Sequence, residues 1–361
     1  MTSMTHDGPQ ITGGVDTHGV THHAAVIDSV GRHLADREFP ARISGYRELL
    51  DWMRSHGTLT AVGVEGTGAY GAELARVLTA AGVSVVEVDR PDRKTRRLQD
   101  KSDPIDAYAA ATAVLSGRAT GTPKSRDGVV EAVRVLRIAR RSAVKTRTQA
   151  MNQIRGLLVS APAVLREQVT ALDRTALIHT LTRLRPGDDL TRPLAATRAA
   201  LRRLARRHQT IDTEIAELDA EIAPLLQQTA PALLELFGVG PETAGQLLAS
   251  AGDNPERMRS EGAFAHLAGV APIPASSGRT HRHRLNRGGD RAANNALHTI
   301  VLVRMRYDER TRTYVTRRTK EGLPKKDIMR CLKRFVAREI YHALTHTPTK
   351  GISQNNLTPA A

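Results

Sequence analysis

The N-terminal quarter of the chain alternates between short apolar runs and amphipathic stretches. Short apolar runs bounded by turn residues predict three strands within residues 13–39 and further strands at 61–65 and 83–88. Stretches in which apolar residues recur every three or four positions predict helices at 43–56 and 69–81. Three hairpin strands followed by alternating strands and helices indicate an α/β domain with a mixed sheet.

The middle of the chain has a different pattern, which is helical and charged from residue 126 to residue 228 with a break near residues 185–187. Within it, mainly aliphatic residues alternate spacings of three and four, as in a coiled-coil seam. The members of this seam are Leu201, Leu204, His208, Ile211, Ile215, Leu218, Ile222 and Leu225. The seam predicts either an intermolecular coiled coil or an amphipathic helix that packs inside one subunit. His208, its polar member, either sets the register or occupies a partly exposed position.

The last third of the chain is predicted to be mainly helical. A Gly-x-Gly turn at residues 236–241 and a helix over 243–250 resemble a helix-hairpin-helix, whose turn presents backbone N–H groups to a phosphate. An ordinary turn between helices would contain the same residues. A polar loop rich in Pro, Ser, Gly, His and Arg spans 270–289, and helices follow at 290–306 and 325–345.

These patterns predict a fold class of α/β plus all-α. The mixed-sheet domain covers residues 12–125, a helical and coiled-coil region covers 126–229, and a mainly helical C-terminal domain covers 230–345. Residues 346–361 are expected to form a disordered tail. A length of 361 residues accommodates such a plan, since a domain commonly has roughly 150 residues.

The positive charge of the chain is concentrated near its C-terminal end. The formal net charge is +16, and the segment from Arg279 to Arg338 carries 18 Lys and Arg against 5 Asp and Glu. Such a segment usually meets phosphates or an acidic membrane surface. No apolar run reaches the ~20 residues of a membrane span, and residues 1–12 lack the apolar stretch of a signal peptide, so nucleic acid is the expected partner and a membrane is not. The single cysteine, Cys331, excludes an intrachain disulfide and fits a reducing cytoplasm.

Four acidic residues stand out by their positions. Asp16 ends the first predicted strand, and Glu65 ends the fourth, where a Gly-x-Gly run follows it. If these strands are neighbours in the sheet, the two carboxylates meet at one edge. Asp103 and Asp106 lie three residues apart at a helix start and therefore share a face. Converging carboxylates suit Mg²⁺, with Mn²⁺ as a possible substitute, and two such ions can clamp the attacking and leaving oxygens of a phosphodiester.

Three of these acids also have a purely structural alternative, whereas Glu65 is an unusual choice at the end of an apolar strand. Asp103 before Pro104 is typical of a helix N-cap with proline in the first turn, and the helix dipole would then favour Asp106. Asp16 alone is also a plausible turn residue at a strand end. The order of all four acids favours the metal site. No metal role is predicted for three nearby histidines, which accompany neither a cysteine nor a clear histidine pair: His18, His22 and His23.

Motifs in both halves of the chain follow a recognisable order. The N-terminal motifs are Gly14-Val15-Asp16-Thr17-His18, the run from Glu65 to Gly71, and the run from Lys101 to Ala107. The C-terminal motifs are the runs Gly238–Pro241, Leu267–Pro272, Ser276–Gly278 and Arg287–Asp290. In this order the motifs resemble the DEDD transposases of the IS110/IS1111 insertion-sequence family. The similarity extends from residue 12 to residue 345, and the two halves are specific in combination although each short motif alone is weak.

The resemblance implies a fold and partners that the spacing does not show. It implies a ribonuclease-H-type, Holliday-junction-resolvase-like N-terminal domain. In that domain the Mg²⁺ ligands would be Asp16, Glu65, Asp103 and Asp106. A coiled coil would link the domains and mediate assembly, so a homodimer or homotetramer is expected. A structured noncoding RNA from the flank of the element would guide the enzyme to DNA, and the expected location is the bacterial cytoplasm, with nucleoid association during activity.

The resemblance also implies a serine nucleophile in the C-terminal domain, which would form a covalent phosphoserine link to DNA. Ser276 and Ser277 compete for the matching position, and Ser277 is preferred because it directly precedes Gly278. A protonated serine is a weak nucleophile, so it needs help from a base or from the carboxylate-bound metal. The expected activity is cutting and rejoining of double-stranded insertion-sequence DNA. The alternatives are a metal-only junction-resolving nuclease and a non-enzymatic helix-hairpin-helix scaffold.

Two sets of basic residues are candidate contacts to nucleic acid. The first follows helical spacing in the middle region, where a solvated helix face is the alternative, and consists of Arg134, Arg137, Arg141 and Lys145. The second surrounds the serine and consists of Arg279, Arg282, Arg284 and Arg287. Within it, Arg279 and Arg287 either steady the scissile phosphate or contact the backbone. Aromatic residues are only 3% of the chain, so few side chains are available for stacking on bases.

Overall fold

The computed structural model describes residues 8–88, 102–279 and 283–345. The chain divides into two units, one made of residues 1–128 with 251–260 and the other of residues 129–250 with 261–361. The predicted middle region and C-terminal domain both fall mainly in the second unit, and their separation into two domains stays a prediction. The expected tail, residues 346–361, lies outside the described residues.

A mixed five-stranded sheet forms the centre of the first unit. Its strands are β1 (Gln10–Thr17), β2 (Thr21–Asp28), β3 (His33–Pro40), β4 (Thr58–Glu65) and β5 (Val85–Val88). Their order in the sheet is β3-β2-β1-β4-β5. The first three strands pair antiparallel, whereas β4 pairs parallel with both β1 and β5. The predicted mixed sheet in the N-terminal region is therefore confirmed.

Helices cover both faces of this sheet. They are α1 (Ile43–Arg54), α2 (Ala72–Ala80) and α3 (Asp103–Leu115). Val15 and Val64 share a buried cluster with residues of α1 and α2, such as Leu49. Because successive side chains of a strand point to opposite faces, the next residue of each strand, Asp16 and Glu65, points to the other face. That second face is the one against which α3 packs.

Glycines in β1 and β4 allow α3 to approach the sheet closely. A Cβ atom at Gly14 would overlap the backbone of Ala107 and Ala111. A Cβ atom at Gly63 would lie 2.8 Å from the carbonyl oxygen of Ala110. These alanines are buried and present little bulk to the sheet. The close packing holds the first turn of α3 near the end of β1.

Replacing Gly14 with alanine should destabilise the first unit. The added methyl group meets helix backbone, which cannot rotate away as a side chain would, so we expect an overpacking cost of about 1–3 kcal/mol. Thermal and urea unfolding would measure it. Gly156→Ala, in the helix Val129–Val159, is the control. A Cβ atom there meets nothing within 4 Å, so alanine should stabilise that helix by up to ~1 kcal/mol. A Gly14→Ala protein as stable as the wild type would contradict this packing.

Two long helices form an antiparallel pair in the second unit. The helices of this region are α4 (Val129–Val159), α5 (Ala163–Val169), α6 (Arg174–Thr182) and α7 (Pro193–Thr229). Ion pairs join α4 to α7 at Arg140–Asp219 and Arg147–Asp212, so a step of seven residues forward in α4 matches seven residues back in α7. The break predicted near residues 185–187 falls in the segment between α6 and α7.

The predicted seam of α7 packs inside the chain. Ile211 and Ile215 form a buried cluster with Ala143 of α4, and Leu201 packs in a second cluster with residues of α4, α5 and α6. This is the intramolecular alternative, so the described seam gives no support to an intermolecular coiled coil. His208 is buried in the seam and accepts a hydrogen bond from Arg174 at 3.2 Å. Burial, and secondarily the Arg174 charge, hold the pKa of His208 below its usual value.

The rest of the second unit is mainly helical, as predicted for the C-terminal region. Its helices are α8 (Pro231–Leu234), α9 (Pro241–Ala251), α10 (Glu261–Leu267), α11 (Arg291–Tyr307), α12 (Glu309–Lys320) and α13 (Lys325–Thr345). Helix α12 was not predicted, because Thr311 is its single buried residue and no apolar face marks it. The polar loop contains a small antiparallel pair, β6 (Ile273–Pro274) and β7 (His283–Arg284). No helix in the described part of the chain is long and apolar enough to cross a bilayer.

Candidate functional site

Three side chains meet at the end of β1 and the start of α3. His18 Nε2 lies 3.0 Å from Asp16 Oδ2 and 3.5 Å from Asp103 Oδ1. One donor atom from each of the three residues lies within 4.8 Å of the others. In an octahedral Mg²⁺ site with bonds of about 2.1 Å, adjacent ligand atoms are about 3.0 Å apart. The spacing and the oxygen and nitrogen donors therefore fit a divalent ion.

The sheet also brings Glu65 to the same region. Val15 pairs with Val64 in the parallel register of β1 and β4, so Asp16 and Glu65 follow side by side. Both are buried, with 7% and 9% of their surface exposed. The Thr17 hydroxyl donates to the Glu65 carbonyl oxygen at 2.8 Å, which ties the two strand ends together. Among the described residues, the carboxylates of Glu65 and Asp106 do not belong to the three-residue donor group.

The start of α3 leaves the Asp103 carboxylate available to this group. Ser102 is the N-cap residue, and no side chain caps the first turn. The alternative in which Asp103 is the helix cap is therefore wrong. Pro104 occupies the first turn, as predicted, and Asp106 follows on the same turn, where the helix dipole favours negative charge.

His18 is the functional candidate that the sequence pattern missed. No metal role was predicted for it, because it forms no recognisable motif with the nearby His22 and His23. The surroundings of His18 and His22 differ in the structure. His22 is buried and stacked against Tyr46, whereas the His18 side chain is 45% exposed and faces two carboxylates. The sequence signal was its position two residues after a strand-end aspartate.

A second set of polar contacts holds α3 beside the site. His23 lies opposite Asp16 in the β1–β2 register, and its Nε2 is 2.8 Å from Asp36 Oδ2. The Tyr108 hydroxyl of α3 donates to the other Asp36 oxygen at 3.2 Å. Burial, followed by the Asp36 charge, raises the pKa of Tyr108 to about 12. The phenol thus stays protonated over the physiological range and can keep donating to Asp36.

Ser277 lies in the second unit, in the loop between β6 and β7. It is exposed, and Gly278 after it has φ +54°, a left-handed conformation that favours glycine. A Cβ atom at Gly278 would meet nothing within 4 Å, so the backbone there is open to a ligand. Of the basic residues predicted around the serine, Arg279, Arg284 and Arg287 are exposed. Arg282 lies outside the described residues.

A set of buried polar contacts anchors the base of this loop. Asp290 caps α11 by accepting from two backbone N–H groups, and it also accepts from the buried Ser250 hydroxyl at 2.6 Å. Asn294 donates to the carbonyl oxygens of Ala268 and Gly269 at 2.9 and 3.2 Å. Gly289 packs so tightly on Gly269 that a Cβ atom would overlap its backbone. The glycine-aspartate motif before α11 therefore holds both ends of the segment that carries Ser277.

The four basic residues of α4 do not form one exposed row. Arg137 is only 3% exposed and pairs with Glu242 at 2.6 Å, so its side chain does not face a phosphate. Arg137 lies on the face of α4 that packs on α9. Helical spacing in the sequence does not distinguish such a face from a solvated one. Arg134 donates to Glu131, and this hydrogen bond raises the pKa of its guanidinium. Arg141 and Lys145 are exposed.

Comparison with known protein families places both candidate regions within transposase segments. A model of IS110-type DEDD transposases, described as Transposase, matches residues 13–161. A model described as Transposase IS116/IS110/IS902 family matches residues 230–316. Together the two segments cover more than half of the chain, and they contain the carboxylate group and Ser277 respectively.

The descriptions of individual relatives name transposases or an insertion element. A mini-circle putative transposase for IS117 from Streptomyces coelicolor is 27% identical, over 77% of this chain and 80% of the relative. An uncharacterized 42 kDa protein of insertion element IS900 from Mycobacterium paratuberculosis is 33% identical over 42% of this chain and 37% of its own length. A probable family 20 transposase from Pseudomonas aeruginosa is 30% identical over 51% of this chain and 53% of its own length.

Proposed function

Because this chain belongs to the IS116/IS110/IS902 family of transposases and is therefore a DNA transposase, we propose that it cuts and rejoins the double-stranded DNA of an insertion sequence. The family resemblance inferred from the sequence is thereby confirmed. The observation that carries the proposed chemistry is the group formed by Asp16, His18 and Asp103 at the end of β1. It lies within the segment matched by the DEDD transposase model.

The first part of the proposal is a divalent metal centre, with Mg²⁺ as the ion and Mn²⁺ as a substitute. Asp16 and Asp103 supply carboxylate oxygens, and His18 supplies an imidazole nitrogen in addition to the acids expected from the sequence. Glu65 and Asp106 complete the set from the neighbouring strand end and helix turn. When bound, a divalent ion stabilises the negative charge that develops on a phosphate and its leaving oxygen. The mixed sheet beneath the site supports a ribonuclease-H-type, resolvase-like domain.

The second part of the proposal is that Ser277 is the nucleophile. Its Oγ forms a bond to phosphorus as the bond from phosphorus to the leaving oxygen breaks. The serine proton passes to solvent or a base, and the leaving oxygen takes up a proton to become a strand-end hydroxyl. The retained ester allows rejoining when a strand-end hydroxyl attacks it. The exposed loop, the left-handed Gly278 and the exposed Arg279, Arg284 and Arg287 support this role, because they leave a phosphate free to approach a basic surface.

The third part concerns partners. Double-stranded DNA of the element ends and target is the substrate, and a structured RNA encoded beside the element is the proposed guide. A homodimer or homotetramer in the bacterial cytoplasm would supply the several active sites that strand exchange needs. Since the described seam of α7 is occupied by α4, the proposed contacts between subunits use other surfaces.

The function is tested by incubating the full chain with DNA carrying the element ends and a target, with the flanking RNA present. We expect Mg²⁺-dependent strand exchange and a protein–DNA adduct on denaturing gels. Cleaved DNA that carries no protein would instead support the metal-only nuclease, in which water is the nucleophile. Binding of DNA without any strand chemistry would support the non-enzymatic scaffold.

The metal centre is tested independently of activity by electron paramagnetic resonance of Mn²⁺ bound to the chain. If His18 is a ligand, pulsed spectra should contain a directly coordinated nitrogen, which disappears in His18→Ala while the ion remains bound by the carboxylates. His56→Ala is the control, because the His56 ring contacts Trp52 and lies in another part of the first unit. Wild-type spectra without nitrogen coupling would show that His18 does not bind the ion.

A further inference from the structure

Helix α7 has opposite charges on its two halves. From Pro193 to Ile211 it contains five arginines and no acidic residue. From Asp212 to Thr229 it contains five acidic residues and neither Lys nor Arg. With a rise of about 1.5 Å per residue, this 37-residue helix is roughly 55 Å long, so the two charged halves are well separated.

Only the acidic half of α7 has matching charges on its neighbour. Asp219 pairs with Arg140 and Asp212 pairs with Arg147, both on α4. Beyond Arg147, towards its C-terminal end, α4 contains a single charged residue, Arg155. The basic half of α7 therefore faces no acidic stretch of α4, and its positive charge is left for another partner.

The basic half of α7 contributes to a concave site. A cleft of about 460 Å³ lies between the end of α6, the segment that follows it and the second turn of α7. It is lined by His179, Thr180, Arg183, Leu184, Arg185 and Arg198. Within the described ranges no carboxylate forms an ion pair with the three arginines of the cleft. The Nε atoms of Arg198 and nearby Arg202 are buried without a hydrogen-bond partner.

Acidic residues near the cleft do not neutralise it. Asp188 and Asp189 lie in the segment between α6 and α7, but neither lines the cleft. The Asp189 carboxylate instead accepts hydrogen bonds from the Thr191 backbone and hydroxyl, and these contacts lower the pKa of Asp189. Leu184, which lines the cleft, packs against a buried core of α4, α5, α6 and α7 residues.

We infer that this cleft binds the sugar–phosphate backbone of double-stranded DNA, as a second contact site distinct from the basic loop around Ser277. Arginine guanidinium groups bind phosphate oxygens through paired N–H donors. Three further exposed arginines, Arg203, Arg206 and Arg207, add to the positive charge of this half of α7. Such contacts position a duplex and carry no sequence information. The inference rests on the proposed function only in taking DNA as the partner.

The test measures DNA affinity of the full chain against salt concentration, by fluorescence anisotropy with a labelled duplex. Each lost phosphate contact should reduce the salt slope by about 1, so Arg183→Ala/Arg198→Ala should lower it by about 2 and weaken binding roughly tenfold or more at moderate salt. Arg183→Ala alone, at an exposed position, should lower it by about 1. The control is Arg32→Ala/Arg54→Ala, which removes the same charge from two exposed first-unit arginines and should leave the slope unchanged.

The outcomes separate this site from its alternatives. Equal losses on element and unrelated duplexes support backbone contact, whereas a loss confined to one sequence overturns it. An unchanged salt slope in the folded double variant, checked by thermal unfolding, overturns the site altogether. Weaker binding of structured RNA with unchanged DNA binding would assign the cleft to RNA and contradict the inference. Strand exchange is not part of the readout, so failure of the proposed chemistry would leave these results interpretable.

Discussion

Ser277→Ala should remove strand exchange by a factor on the order of 10³ or more while leaving DNA binding nearly unchanged. The hydroxyl is the proposed attacking group, so its loss removes the covalent step itself. One neutral hydroxyl contributes little to a contact dominated by the charges of Arg279, Arg284 and Arg287. The measurements are recombination of element DNA, the protein–DNA adduct on denaturing gels, and equilibrium DNA affinity.

Ser276→Ala is the matched control for this prediction. It removes the same group from the neighbouring residue, in the same exposed loop and beside the same arginines. We expect this protein to retain the adduct and most of its activity. Adduct formation by Ser277→Ala but not by Ser276→Ala would identify Ser276 as the nucleophile. Full recombination by both variants would leave the metal-only nuclease as the better explanation.

Asp16→Asn should abolish strand chemistry, again by roughly 10³ or more, in a protein that still folds. Asp16 and Asp103 both approach His18, and Glu65 lies at the strand end beside Asp16, so a bound cation would offset the repulsion among these negative charges. Added Mg²⁺ or Mn²⁺ should therefore raise the melting temperature of the wild type. In Asp16→Asn this stabilisation should become much smaller, because the ion loses a ligand. Glu65→Gln should behave in the same way.

Asp51→Asn serves as the control, since it removes a carboxylate from an exposed position of α1. It should leave both the metal-dependent stabilisation and the activity unchanged. Wild-type strand exchange in excess EDTA would refute the metal centre. A wild-type melting temperature that does not respond to either ion would do the same without reference to activity.

The parts of this protein that depend on local order along the chain could be predicted from its amino-acid sequence. Apolar runs ending in Asp16 and Glu65 predicted both the strands and the placement of two acids at strand ends. Whether these two strands are neighbours in the sheet remained a condition at that point, and the parallel pairing of β1 and β4 meets it. The motifs of the two halves, taken in their order along the chain, were enough to identify the family.

Residues with the same local pattern differ in what they contact, and those contacts follow from the packing of distant elements. Helical spacing made Arg137 and Arg141 equivalent, yet packing on α9 buries the first and leaves the second exposed. The α7 seam was compatible with a partner subunit until α4 was seen to occupy it. In each case the pattern specifies a face, whereas the neighbour on that face comes from a distant part of the chain.

The observed site differs from the expected one for the same reason, because contacts between distant parts of the chain complete it. His18 joins Asp103 only because Gly14 and Gly63 allow α3 to pack closely on the sheet, a contact between segments some 85 residues apart (Asp103 against His18). The arginine cleft likewise depends on α6 and α7 meeting at one end of the antiparallel pair. Distances between side chains follow from the packing of whole elements, and that packing is set by steric fit that no single segment encodes.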